Sequence, residues 1–319
     1  MKRFLIIKLV ICSFIILIPG LETSSASSVK VKPLYKLSNF SGSIPYNNVR
    51  LKVDRGTGEV FVLDLHEGDI RIFNGVGMEI YRTGSYRDLG FPVDLAIRED
   101  GGIDVLVRDG GRRTVHHCDY RGEPVSVMEF KGIPEGFSDM RPDRILWNGG
   151  QLYVVDTESL RVAVFDGGGR YERGYMFADV LEPDEKQAGG NAENSMFGFT
   201  VDREGSLFFT IPTLFSVYRV SVDGRVETFG EAGSSAGKFS IVSGIAVDEG
   251  GNIYLSDRNR SVIMIYSPEL NFRYEFGYRG FGPGGLIVPR DLDIDGTGKV
   301  YVAQMGSRGI KAFRVSLGQ

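Results

Sequence analysis

The amino-acid sequence predicts an all-β fold, and three observations carry that prediction. A unit of apolar strand, tight Gly/Asp/Asn turn and second apolar strand recurs six times along the 319 residues. The 43 glycines, about twice the usual share, fall between short β-branched or aromatic runs and form no single tract. The last copy stops one strand short at the C-terminus, while an unassigned strand-like run stands near the N-terminus. Four strands per unit at this period are the pattern of propeller blades. The expected architecture is a six-bladed β-propeller closed by an N-terminal strand that completes the last blade.

Taken in order, the chain begins with Lys2, Arg3 and Lys8, an apolar run over residues 9–18 and a small-residue stretch "TSSASS". That is the layout of a secretory signal peptide, with Ser24 and Ala26 suited to the −3 and −1 positions of a cleavage site. The run is short for a membrane span of ~20 residues. The expected division is therefore a signal peptide over 1–26 and a single propeller over 27–319, in an exported protein that is periplasmic or extracellular. Contact with a membrane is expected only if the N-terminal segment stays uncleaved. Processing would remove Cys12, leave Cys118 alone and make the net charge of −4 more negative. One Cys makes no intrachain disulfide, and an acidic chain without a basic tract is poorly suited to nucleic acid.

After "VKPLYKL" at 31–37, the proposed closing strand, the hairpins follow one another. They read "RLKVDRGTGEVFVLD" (50–64), "DLAIREDGGIDVLV" (94–107), "RILWNGGQLYVVD" (144–156), "GFTVDREGSLFFTI" (198–211), "GIAVDEGGNIYLSD" (244–257) and "DLDIDGTGKVYVAQ" (291–304). From Asp54 through Arg98, Asn148, Asp202 and Asp248 to Asp295, the spacing is about 44 to 54 residues. Gly and Asn in the turns supply the positive φ that such reversals need. Third strands are expected at "IRIF" (70–73), "RVAVF" (161–165), "VIMIY" (262–266) and "IKAF" (310–313). In the second unit "TVHHCD" replaces that pattern, so His117 and Cys118 fall where others carry Val and Phe.

With those residues in view, the chain resembles the NHL-repeat family. "SGIAVDEGGNIYLSD" follows the family's G-I-A-V-D-x-x-G-N-I-Y-V-x-D pattern, and "QLYVVDTESLRVAVFD" keeps its second half. The resemblance implies a propeller across residues 31–319. It implies function only weakly, because such propellers include binding modules, sensors and a few enzymes.

Few residues suggest reaction chemistry. His66, His116 and His117 are the only histidines, and the last two are adjacent on a predicted strand, so they point to opposite faces. The NHL resemblance would imply several central histidines for an amidating lyase, and that set is missing. Asp64, Asp156 and Asp257 recur at the ends of second strands, where a carboxylate can cap the next turn's N–H groups; a lactonase-like metal set is the competing reading. There is no G-x-S-x-G elbow, Cys118 sits at a core position, and neither "GTGEVF" nor "GFGPGG" precedes a helix as a phosphate loop does. No catalytic residue, metal ligand or cofactor is assigned.

The remaining candidate is a binding face around the channel. At the position of the Gly in G-I-A-V-D the blades carry Arg50, Asp94, Arg144, Gly198, Gly244 and Asp291, four charges alternating in sign and then an open glycine sector. Blade four's second-to-third-strand loop, "IPTLFS", presents Leu214 and Phe215, and the connector over 180–196 runs into the same blade. The expectation is a non-catalytic exported scaffold, monomeric or part of an envelope complex. It would recognise a protein, peptide or small ligand on the loop face over blades four and five, with Arg50 and Arg144 pairing a carboxylate. Charges alternating in sign also suit a self-satisfied brace. The enzymatic alternative is a metal-dependent hydrolase or lyase of the lactonase kind.

Overall fold

A computed structural model describes residues 29–83, 89–179, 181 and 194–318. The predicted signal peptide and most of the 180–196 connector lie outside the described residues.

Six four-stranded antiparallel sheets follow one another around a closed ring. The innermost strands are Val49–Val53, Phe91–Ile97, Arg144–Asn148, Phe199–Val201, Val242–Val247 and Pro289–Ile294. Each pairs with the strand that follows it through a tight turn, built by a carboxylate in every blade but the third, where Gly149 and Gly150 take positive φ. In blade five Asp248 Oδ1 accepts the N–H groups of Gly250 and Asn252 at 2.9 and 2.8 Å, while Gly251 takes φ +77°. Asp54, Asp202 and Asp295 act alike. In blade two, where Arg98 replaces the acid, Asp100 takes the N–H of Gly102 instead.

Blade six is completed by the N-terminus. Lys30–Lys36 runs antiparallel to Ile310–Ser316, and Leu37 donates to Ile310 O at 3.0 Å. Tyr35 ties this strand to the first blade by donating its hydroxyl to Gly75 O at 2.7 Å. The N-terminal strand thereby covers the otherwise bare edge of Ile310–Ser316 and takes the outer place in the sheet.

The cores lie between blades, where the faces of neighbouring sheets meet. Between blades three and four, Phe177, Phe209 and Tyr218 pack in succession, with ring centroids 4.7 and 5.0 Å apart. Each such buried aromatic or aliphatic side chain contributes about 1.5–3 kcal/mol. The second and third strands are accordingly almost wholly buried, whereas outer strands such as Pro124–Val127 are exposed. Cys118 is buried in the interface of blades one and two, as a core position requires.

Antiparallel order fixes two faces. The turns between first and second strands open on one, here the turn face. The loops between second and third strands, with the connections between blades, open on the other, the loop face.

Candidate binding site in the central channel

The innermost strands have one edge towards the channel, and their outward N–H and C=O groups need partners. The six residues Arg50, Asp94, Arg144, Gly198, Gly244 and Asp291 form one tier there, and all six line a central cavity of about 430 Å³. Each of the four charged residues reaches the inner strand of the next blade or the residues leading into it. Asp291 accepts from Leu51 N at 3.4 Å, and Asp94 from Ile145 N at 2.9 Å. Arg50 donates Nε to Val93 O, and Arg144 donates Nη2 to Phe197 O, both at 3.3 Å. Acids answer N–H groups and bases answer carbonyls. The alternation in sign follows from that division of labour, and the one ion pair within the tier, Arg50 to Asp94, is long at 3.8 Å.

At the two glycines the neighbouring strand comes in directly. A Cβ on Gly198 would stand 2.4 Å from Ser243 O, and one on Gly244 would stand 2.9 Å from the Cα of Asp291. The expected open sector is therefore closed: where the side chain is missing, the next blade's backbone fills the place.

One pitch further along the same strands lies a second tier of Lys52, Ala96, Leu146, Thr200, Ala246 and Asp293. Small residues widen the channel, and Lys52 projects into it. Among the described residues its ammonium has no hydrogen-bond or ion-pair partner, although it lies close enough to Asp94 and Asp293 to draw both towards ionisation. Both oxygens of Asp291 and of Asp293 accept backbone N–H groups, as does one of Asp94. Burial raises the carboxyls of Asp94 and Asp293 against the pull of Lys52. It also pulls Arg50 down to about 10, helped by the charge of Arg144. Arg144 is engaged by Asp143 and Phe197 O, but Arg50 uses only Nε. The cavity thus carries surplus donors on Lys52 and Arg50 and few unused acceptors. Lys52 was two residues from Arg50 in the sequence; strand alternation puts it on the same side, and comparing a second position around the ring would have found it.

The cavity's further walls come from Asp54–Gly56, Arg98, Glu99, Asn148 and Gly149, so it opens on the turn face. Leu214 and Phe215 stand elsewhere. They lie on the loop between Leu207–Ile211 and Ser216–Val220, with Leu214 packed on the core of blades three and four and Phe215 partly exposed at φ +53°. Neither lines the cavity, so the structure does not bring the eight candidate residues into one site.

The other sequence candidates have plain partners. Asp64, Asp156 and Asp257 cap turns through the N–H groups of His66, Ser159 and Asn259 at 2.9–3.0 Å. His116 meets Thr114 Oγ1 at 3.1 Å, and His117, on the opposite face, meets buried Asp104 at 2.8 Å. Asp104 also accepts from Trp147 Nε1 and Arg98. Among the described residues no three His, Cys, Asp or Glu side chains are arranged to hold a metal ion.

No model of a known protein family matches the sequence, and no curated protein matches it. Solved structures do. One is a protein of unknown function from Bacteroides thetaiotaomicron VPI-5482, at 15% identity and TM-score 0.63 over 91% of this chain and 77% of that one. A streptogramin B lyase is 13% identical, with TM-score 0.56 over 90% and 98%. A putative gluconolactonase is 11% identical, with TM-score 0.59 over 92% and 94%. At these identities the likeness is one of fold, and the chain shares a propeller architecture with enzymes and with proteins of unknown function alike.

Proposed function

We propose that this propeller is a binding module whose central cavity takes a small, acceptor-rich ligand bearing a carboxylate or phosphate group, entering from the turn face. The observation that supports this most is Lys52: among the described residues its ammonium makes no hydrogen bond or ion pair, and the acids that feel its charge, Asp94 and Asp293, already accept backbone N–H groups. The unused Nη groups of Arg50 add a planar fork beside it. The tier of Asp94, Arg144 and Asp291 holds the blades in register and shapes the cavity wall. We place this module outside the cytoplasm, with residues 1–26 as its signal peptide; mass spectrometry of the protein recovered from its native host would show the processed N-terminus.

The test is thermal unfolding against a panel of small carboxylates, phosphomonoesters and neutral sugars. A true ligand at a hundredfold excess over its dissociation constant stabilises the fold by about 2.7 kcal/mol, and Lys52→Ala removes that gain. A panel that shifts nothing, or shifts wild type and Lys52→Ala equally, rejects the reading. Turnover of a stabilising compound would favour the metal-dependent hydrolase or lyase instead.

A further inference from the structure

A second cationic feature stands at the other end of the cavity wall. Phe197 precedes the inner strand of blade four, three residues along the strand direction from the tier of Lys52, and it lines the cavity. Against its ring lie the guanidinium carbons of Arg258 and Arg290, 4.7 and 5.3 Å from the centroid. Neither arginine lines the cavity. Arg258 follows Asp257 into the second-to-third-strand loop of blade five, and Arg290 opens the inner strand of blade six, so both belong to the loop face.

Their hydrogen bonding is incomplete. Among the described residues the side chain of Arg258 donates to nothing, and its Nε is buried without a partner. Arg290 gives Nη1 to Asn48 Oδ1 at 2.9 Å and also leaves Nε unpartnered. The nearby acids are engaged: Asp257 by the N–H groups of Ser240, Ile241, Asn259 and Arg260, Asp291 by those of Leu51 and Leu292, and Asp143 by Arg144. Burial and the charge of Arg290 pull Arg258 below its ordinary value, and burial with the charge of Arg144 does the same to Arg290. Like charges are gathered here, the carboxylates that oppose them, Asp257 and Asp291, are spent on backbone N–H groups, and the buried Nε atoms left without an acceptor cost stability.

We propose that Arg258, Arg290 and Phe197 form a second site, on the loop face, for a small oxyanion: a carboxylate or phosphate group. The ring supports the faces of the two guanidinium groups, and their edges are left to chelate oxygen. This site is independent of Lys52, so it stands or falls apart from the cavity.

The experiment is calorimetric titration of the whole protein carrying Lys52→Ala, which removes the cavity's own anion contact, with inorganic phosphate and, separately, with acetate in low-salt buffer. The Lys52→Ala protein binds at least one of them, and the tighter identifies the preferred oxyanion. Adding Arg258→Gln to Lys52→Ala weakens that binding roughly tenfold or more, the loss expected when a charge-assisted pair is removed. In anion-free buffer Arg258→Gln unfolds at a temperature no lower than wild type, because a repulsion has been relieved. Should that variant fail to fold, Arg290→Lys, which keeps the charge and loses the fork, serves with the same expected loss. No binding of either anion to the Lys52→Ala protein, or equal affinity once Arg258→Gln is added, overturns the proposal.

Discussion

At one position of the repeat, blades four and five carry glycine, while blades six, one, two and three carry Asp, Arg, Asp and Arg. The two sectors solve the same problem in different ways. Between the glycine-bearing strands and their neighbours the backbones touch, and a single added Cβ would collide with Ser243 O or with Asp291 Cα. Between the charged strands there is room for a side chain, and its oxygen or nitrogen answers the N–H or C=O of the next strand. The channel charges are therefore first of all braces. What a brace does not explain is a charge that makes no hydrogen bond or ion pair among the described residues, and that description fits Lys52 one tier further on.

The largest expected effect comes from forcing a side chain into the glycine sector. Gly198→Val should cost about 3 kcal/mol, near the upper end for overpacking, because the obstacle is the neighbouring backbone and not a movable side chain; urea unfolding measures it. A loss below about 0.5 kcal/mol, the scale of a neutral surface change, would show that the strands part easily and would break the comparison. On the charged side, Asp94→Ala strands the N–H of Ile145 and should cost about 1–3 kcal/mol, the penalty of an unmade buried hydrogen bond. Asp94→Asn, which can still accept from that N–H, should lose less.

The smallest effect is one of pH. Burial raises the Asp94 carboxyl above its ordinary 3.8, so the folded chain holds this proton more firmly than the unfolded chain does. That contribution favours the fold in acid and is lost as pH rises from the unfolded value through the raised one. As pH rises past the ordinary carboxylate value, wild type should therefore lose stability relative to Asp94→Asn. Parallel pH profiles would remove burial as the dominant influence on this carboxylate.

Much of the ring could be read from the sequence because its signals are local. Turn carboxylates such as Asp248, the third strands at 70–73, 161–165 and 262–266, and the capping role of Asp257 each depend on neighbours a few residues away. The closing strand was legible through arithmetic, one strand missing at one end and one spare at the other. The site was harder. A glycine reads as space in a sequence, yet at Gly198 the missing Cβ let blade five move in. Leu214 and Phe215 read as an exposed apolar patch beside the channel, but Leu214 is drawn into the core beneath its loop, away from the cavity. Which end of the channel stays open depends on how six strands tilt together, and no single repeat contains that information.

The most direct measurement is the calorimetric dissociation constant of the tightest-binding small carboxylate or phosphate ester, determined for Lys52→Ala and for the Leu214→Ala/Phe215→Ala double variant. A turn-face cavity centred on Lys52 predicts a loss of roughly tenfold or more in the first, on the scale of one charge-assisted contact, and wild-type affinity in the second. Unchanged affinity in Lys52→Ala with loss in the double variant would contradict it and return recognition to the loop face.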